Sequence, residues 1–280
     1  MNGERARVQR MTKTPDFLTR IIECKRARLE RVLSQTSHAR EVRAEALRVR
    51  GEARPHALRA ALASASGFHI IAEIKRASPS LGDIRRDVAP AEVARLYESS
   101  GAAAVSVLTE EDYFLGALAD LQEVRAATRL PLLRKDFIFD EWQLYESAAA
   151  GADVLLLIVA ALDDERLARF RRIAEDELGL DALVEVHTRA ELERAATCGA
   201  SIIGVNNRNL HTFEVSLETS VELAGHAPPG ALLVSESGLR AHADLQRLKS
   251  LGYRGFLVGE TLMRAADPAA ALRALAYAES

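Results

Sequence analysis

The sequence predicts an α/β protein, a (β/α)8 barrel with an N-terminal helical extension. Three observations carry that prediction. Eight short apolar, often β-branched runs alternate with amphipathic stretches, the pattern of βαβ units around a parallel sheet. Gly-Ala pairs recur where an amphipathic stretch meets the next apolar run, at Gly101, Gly151 and Gly199. Charged or amide residues stand at the same end of most runs, the end where such a barrel gathers its functional loops.

Residues 1–66 read as the helical extension, packed on the barrel, and 67–280 as the barrel, one domain in all. Within the extension Phe17, Ile21, Leu29, Val32 and Leu33 recur at helical spacing with few breakers. Met11 is a second candidate start, so residues 1–10 read as a poorly ordered leader or an upstream start. The eight strand candidates are Phe68–Ile74, Ala103–Leu108, Pro131–Arg134, Asp153–Val159, Ala182–Val186, Ser201–Val205, Ala231–Val234 and Gly255–Val258. Helix candidates between them include Ala91–Ser99, Glu141–Ala149, Arg166–Glu175, Ala190–Thr197 and Ala241–Leu251. The glycines, with Gly252, suit helix ends that close in the left-handed conformation. Thr188 with Glu191 is a candidate capping box, and Asp87 with Pro90 suits a helix start. A doubly wound open sheet is the alternative, but no G-x-G-x-x-G follows the first run.

Composition is that of an ordinary globular chain: 280 residues, 48% hydrophobic and 28% charged. No apolar run reaches the ~18 residues of a membrane span, and the N-terminus lacks the apolar core of a signal peptide, so a cytoplasmic protein is expected. Cys24 and Cys198 are far apart and read as free thiols in a reducing compartment. The net charge of −3 is unevenly placed, about +8 over residues 1–59 and −11 over the remainder. Because arginines alternate with glutamates at helical spacing, as in Glu23, Arg26 and Glu30, and no aromatic residues interleave with them, the basic head reads as a solvated helical face rather than a nucleic-acid surface. Attraction of an anionic substrate is its functional alternative.

The polar residues at the run ends carry the chemistry. Glu73 and Lys75 stand two apart and share one side of their strand. Lys135 follows the third run, Glu185 lies within the fifth, Asn206 and Arg208 follow the sixth, and Glu236 and Ser237 follow the seventh. A charge in an apolar strand is costly unless paired, and crowded opposite charges shift pKa values toward proton transfer. Convergence of Glu73, Lys75, Lys135, Glu185 and Glu236 at a barrel mouth therefore points to an active site rather than a salt-bridged plug. Gly238 after the seventh run and Gly259 after the eighth put small residues where barrels bind phosphate through backbone N–H groups. Seven scattered histidines form no metal-ligand spacing, and there is neither a dinucleotide fingerprint nor a P-loop. The expectation is a small phosphorylated substrate, no metal and no cofactor.

Taken in order, the segments Ile71-Ala-Glu-Ile-Lys-Arg-Ala-Ser-Pro-Ser80, Val107-Leu-Thr-Glu-Glu-Asp-Tyr-Phe114, Leu133-Arg-Lys-Asp-Phe-Ile138, Leu183-Val-Glu-Val186, Ile203-Gly-Val-Asn-Asn-Arg-Asn-Leu210, Ser235-Glu-Ser-Gly238 and Leu257-Val-Gly-Glu260 resemble the indole-3-glycerol phosphate synthase family of tryptophan biosynthesis. The resemblance runs from about Thr14 to the C-terminal helix. It implies a TIM barrel that closes the pyrrole ring of 1-(2-carboxyphenylamino)-1-deoxyribulose 5-phosphate, losing carbon dioxide and water, without a cofactor.

It also implies roles. Lys135 would be the general acid at the ribulose carbonyl, Lys75 the partner of the substrate carboxylate, and Glu185 and Glu73 the acid and base of dehydration, in either order. Asn206, Arg208, Glu236 and Ser237 would orient the substrate and catalytic groups. Ser78, Gly238, Gly259 and Glu260 would hold the phosphate, and Phe114, Phe137, Leu156, Leu183 and Val258 the aromatic ring. Where many members carry a polar residue and a serine after the equivalent of Phe114, this chain has Leu115 and Ala117, which predicts fewer polar contacts from that loop. A monomer without nucleic-acid or membrane partners is expected. A phosphoribosylanthranilate isomerase would rely on a Cys/Asp pair where lysine and glutamate stand here, and a silent scaffold barrel would lack at least one of the catalytic groups.

Overall fold

The computed structural model describes residues 17–34, 36–64 and 67–277. The reading of residues 1–10 as a leader or upstream start lies outside them. Eight parallel strands, His69–Ile74, Ala104–Leu108, Leu132–Lys135, Val154–Ile158, Asp181–Val186, Ile202–Asn206, Leu232–Glu236 and Tyr253–Val258, close into a barrel. The first pairs with both the second and the eighth. All eight expected runs are strands, but the third, sixth and seventh extend further, through Lys135, Asn206 and Glu236. The apolar pattern stops short of them because their side chains are polar. The ladder continues, with Val205 opposite Ser235 and Asn206 opposite Glu236.

Strand alternation sorts the side chains into two layers. Ile71, Leu133, Val154, Leu183, Ile202 and Val234 fill the interior, and α3 (Ala57–Leu62) closes it from below with Leu58 and Leu62, both fully buried. Ile70, Ala72, Val105, Leu132 and Leu155 face outward into a second layer with the surrounding helices.

Those helices include α4 (Pro90–Ser99), α6 (Glu141–Ala149), α7 (Asp164–Arg172), α8 (Arg189–Thr197), α10 (His242–Ser250) and α12 (Pro268–Ala276), near the expected bounds. Leu118–Ala127 (α5), Glu218–Ala224 (α9), Glu260–Arg264 (α11) and a small hairpin pairing Ala77–Ser78 with Gly82–Asp83 were not foreseen. The glycines after α4, α6, α8 and α10 take positive φ, from 78° at Gly199 to 102° at Gly252. At α8, Thr188 Oγ1 accepts from the Glu191 N–H at 3.3 Å, but the Glu191 carboxylate returns to the His187 N–H at 2.6 Å, one residue before the expected cap. Pro90 does open α4, whose N-cap is Ala89 rather than Asp87.

In the extension, α1 (Phe17–Leu33) and α2 (Thr36–Glu52) lie on the barrel. The expectation of a solvated basic face holds at Glu23, Arg26 and Glu30, which are exposed, and fails at Lys25 and Arg50, which are buried. Buried Lys25 sits 2.7 Å from Asp136, and Arg28 reaches Glu111 at 2.6 Å and Asp112 at 2.9 Å. Buried Arg50 donates to Asp153 at 3.0 Å and to the carbonyls of Leu178, Ala152 and Gly179. The positive head and the negative barrel thus meet as ion pairs, a complementarity that linear charge counting cannot see. Among the described residues, no helix is long and apolar enough to cross a membrane.

Candidate active site

At the C-terminal mouth of the barrel lies a cavity of about 670 Å³. The third strand sorts its last residues by face. Arg134 and Asp136 turn outward, where Arg134 pairs with Glu146 at 2.7 Å and Asp136 with Lys25, while Lys135 turns inward to the cavity floor. There its Nζ lies 2.8 Å from Glu185 Oε2 and 3.0 Å from Glu236 Oε2. Beside it, Lys75 Nζ contacts Glu73 Oε1 at 2.9 Å. The two lysines and three carboxylates that the strand ends predicted do converge, as two adjoining ion-pair sets.

Glycine makes room for two of the carboxylates. A Cβ at Gly204 would collide with the Glu236 carboxylate, and one at Gly259 with that of Glu73. The need for Gly259 therefore comes at least partly from packing on Glu73, which the sequence could not tell from close approach to a phosphate. Across the mouth, Asn206 Oδ1 accepts from Ser237 Oγ at 2.9 Å and from the Arg208 N–H at 3.0 Å. Arg208 reaches Ser80 Oγ at 3.2 Å, with Glu260 3.7 Å away. Ser237 and Gly238 are both left-handed, with φ of 67° and 83°. For serine that conformation is a strained one, held here beneath the hydrogen bond to Asn206.

The electrostatics follow from burial and crowding. Burial opposes charge on Lys135, but Glu185, Glu236 and Glu73 outweigh it and hold the ammonium well above the ordinary lysine range. Burial would raise Glu185, yet Lys135 and His187 bring it down to about 2. For Glu236, burial and the neighbouring Glu185 prevail over Lys135 and push it up to about 7. Two carboxylates crowded on one ammonium thus titrate as a coupled pair, in which Lys135 favours the charged form and burial with mutual repulsion opposes it.

Of the expected site residues, Glu73, Lys75, Ser78, Phe114, Lys135, Phe137, Leu156, Glu185, Asn206, Arg208, Glu236, Ser237, Gly238, Val258, Gly259 and Glu260 line the cavity. Leu183 does not. It precedes Glu185 by two residues on the inward face, about 6.6 Å deeper along the strand, and is fully buried in the interior layer. Cavity residues that the sequence left unmarked include Phe17 and Leu18 from α1, and Leu210 and Phe213 from the loop after the sixth strand. Phe17 packs edge-on against Tyr113 and Phe213, with centroids 5.0 and 5.2 Å away. No local signal marks Phe17, because helical periodicity alone makes it an ordinary core position. The loop after Phe114 works through its backbone: Leu115, with φ 55°, offers its carbonyl to Arg76, and the Ala117 N–H donates to Asp120 at 2.9 Å. Among the described residues, no group of three or more His, Cys, Asp or Glu gathers as a metal site.

The family model described as indole-3-glycerol phosphate synthase matches residues 18–275. A curated indole-3-glycerol phosphate synthase from Carboxydothermus hydrogenoformans is 51% identical over 207 residues, 74% of this chain and 78% of that one. A solved thiamine phosphate pyrophosphorylase from Pyrococcus furiosus superposes with a TM-score of 0.55 at 17% identity, covering 74% of this chain and 93% of the other, a likeness of fold alone. With the cavity, the strand-end charges and a match across nearly the whole length, the chain belongs to the indole-3-glycerol phosphate synthase family.

Proposed function

We propose a division of labour among the cavity residues for the family's reaction. The reaction itself follows from membership: a lyase step of tryptophan biosynthesis that makes indole-3-glycerol phosphate by decarboxylating ring closure. The observation that carries the proposal is Lys135, an ammonium on the cavity floor between Glu185 and Glu236.

In 1-(2-carboxyphenylamino)-1-deoxyribulose 5-phosphate, the ring carbon bearing the carboxylate attacks the ribulose carbonyl carbon. The carbonyl oxygen gains negative charge, and Lys135 stabilises it and gives it a proton, becoming the neutral amine. The bond to the carboxylate then breaks, releasing carbon dioxide and restoring the aromatic ring. The new hydroxyl leaves as water, with Glu185 and Glu73 sharing the acid and base roles of that step, in either order. Lys75 pairs with the substrate carboxylate until it departs. Phe114, Phe137, Leu156 and Val258 hold the aromatic ring near the carbonyl, where proximity replaces an improbable encounter. Asn206, Arg208, Glu236 and Ser237 orient the sugar hydroxyls and the catalytic groups. Ser78, Gly238, Gly259 and the backbone at Glu260 take the phosphate, the residues from Ser237 on offering N–H groups in a tight turn. No cofactor enters this scheme.

In the same proposal the chain acts as a cytoplasmic monomer, one domain of barrel and docked extension, with its free thiols Cys24 and Cys198 kept reduced and with no nucleic-acid partner. The test is direct. Purified protein given the carboxyphenylamino-ribulose phosphate, without added metal, is followed by the rise of indole fluorescence. Turnover is expected, and an inert protein that binds the substrate would instead make this a silent barrel.

A further inference from the structure

The fifth strand does not end its chemistry at Glu185. Alternation brings His187 to the same side two residues later, and its side chain is 11% exposed. The imidazole is wedged between two carboxylates. Its Nε2 lies 3.4 Å from Glu185 Oε1, the oxygen that Lys135 does not use. Its Nδ1 lies 3.2 Å from Glu191 Oε2. Glu191 is itself fixed, accepting the His187 backbone N–H on that same oxygen at 2.6 Å, while its own N–H is capped by Thr188. The charged groups that face the ring are Glu185 from its own strand, Glu191 from α8 and, beyond Glu185, Glu236 and Lys135 from the seventh and third strands.

A neutral imidazole carries a proton on one nitrogen and a lone pair on the other. Here Nδ1 pairs with the Glu191 carboxylate, while Nε2 lies within ion-pair range of Glu185 without a hydrogen bond of its own, so Glu185 acts on the ring through charge. Two carboxylates within 3.4 Å of one largely buried ring favour the doubly protonated form, in agreement with a pKa that burial opposes but the two glutamates and Glu236 raise. His187 does not line the cavity, so it is placed to act through Glu185 and not on the substrate.

We infer that His187 is a positioning residue for this reaction: an imidazolium, anchored by Glu191, that holds Glu185 ionised from behind while Lys135 holds it from the front. The inference rests on the reading of Glu185 as a proton-transfer group. It also answers a difficulty in that reading. When Lys135 gives its proton to the substrate oxygen, Glu185 and Glu236 lose their shared cation in a desolvated site. A second cation on the far side of Glu185 stabilises the anion through that moment. It also weakens the grip of the carboxylates on the Lys135 proton, making the ammonium a better acid.

The test uses the full chain. Imidazole resonances of the wild type, followed by nitrogen NMR against pH, should show His187 doubly protonated to above the ordinary 6.5, and Glu191→Gln should lower that transition. In activity–pH profiles, His187→Gln should move the acid limb upward by roughly one unit, as loss of a cation beside a carboxylate does. Activity below both limbs then falls about tenfold with KM little changed, and His187→Lys, which restores a cation, should bring the limb back. A ring that titrates at or below 6.5 overturns the inference, and so does a His187→Gln profile superimposable on wild type. Near-inactive Glu185→Gln beside such an unshifted profile overturns the inference alone. Fully active Glu185→Gln overturns the reading of Glu185 together with it.

Discussion

The two ends of the barrel both bury charge, and they use it differently. At the lower end Asp181 is fully buried at the start of the fifth strand. It accepts the Arg59 N–H at 2.9 Å and lies 3.4 Å from His56, while Arg59 and Arg171 reach Glu175 at 3.2 and 2.8 Å. Those groups tie α3 and the turn after α7 to the strand, and beneath them Leu58 and Leu62 fill the interior. At the upper end Glu185 and Glu236 are buried nearly as deeply, but they meet a part-exposed Lys135 at the floor of a cavity. A perturbed buried carboxylate occurs at both ends, Asp181 being raised by burial against the opposing pull of Arg59 and His56. The lesson is that a buried ion cluster does not by itself mark an active site. Its access to a cavity does, since a packed cluster has nothing to exchange protons with.

The largest effect should fall at the upper end. Lys135→Ala is expected to lower kcat by about 10³-fold or more while the circular-dichroism melt still shows a folded barrel. An active variant would break the assignment of the acid. Leu62→Ala at the lower end should do the reverse, costing about 3 kcal/mol in denaturant unfolding through the cavity it leaves with kcat near wild type. A matching loss of activity would mean that the ends are coupled. Gly204→Ala sharpens the upper end, because its methyl must displace the Glu236 carboxylate. Loss of roughly tenfold in kcat or more is expected, as a misplaced catalytic group brings, with a smaller change in stability.

Lys25→Met probes the seam between the extension and the upper end. Burial raises Asp136, but Lys25 and Arg134 overcome it and hold the carboxyl below its usual range. A depressed carboxyl contributes stability that is present above the ordinary Asp range near pH 4 and is lost as pH falls through the folded value. The variant should therefore melt lower than wild type at pH 7, by roughly 2 kcal/mol for a broken buried pair that keeps its second cation. The two melts should approach each other as pH falls below the ordinary Asp range and through that lowered value. A constant gap across that range would deny the linkage.

Strand alternation is why Glu73 and Lys75 could be read as neighbours: two residues of one strand necessarily share a face. The partnership of Lys135 with Glu185 and Glu236 was legible only as convergence. Nothing in the intervening segments says which carboxylate reaches which oxygen, and both Lys75 and Lys135 were equal candidates for either. Leu183 shows the limit from the other side. Its motif marks the strand, but whether a side chain meets the cavity or the layer beneath depends on depth along a tilted barrel. The short helices α9 and α11 escaped because too few turns are present for a period to register.

The sequence by itself determined the eight strands, the end at which polar residues gather, the charge excess of the extension and, through its motifs, the family. Those are properties of local pattern: apolar alternation, glycine at helix ends and residue types at strand ends. The tertiary structure decided which charges meet. It brought Lys25 to Asp136, set His187 between Glu185 and Glu191, pressed Gly204 and Gly259 against catalytic carboxylates, and seated Phe17 between Tyr113 and Phe213 at the mouth. Contacts between distant segments follow from how a closed barrel brings its strands around. Their consequences for pKa and catalysis depend on separations of an ångström or less, a scale that only the folded chain sets.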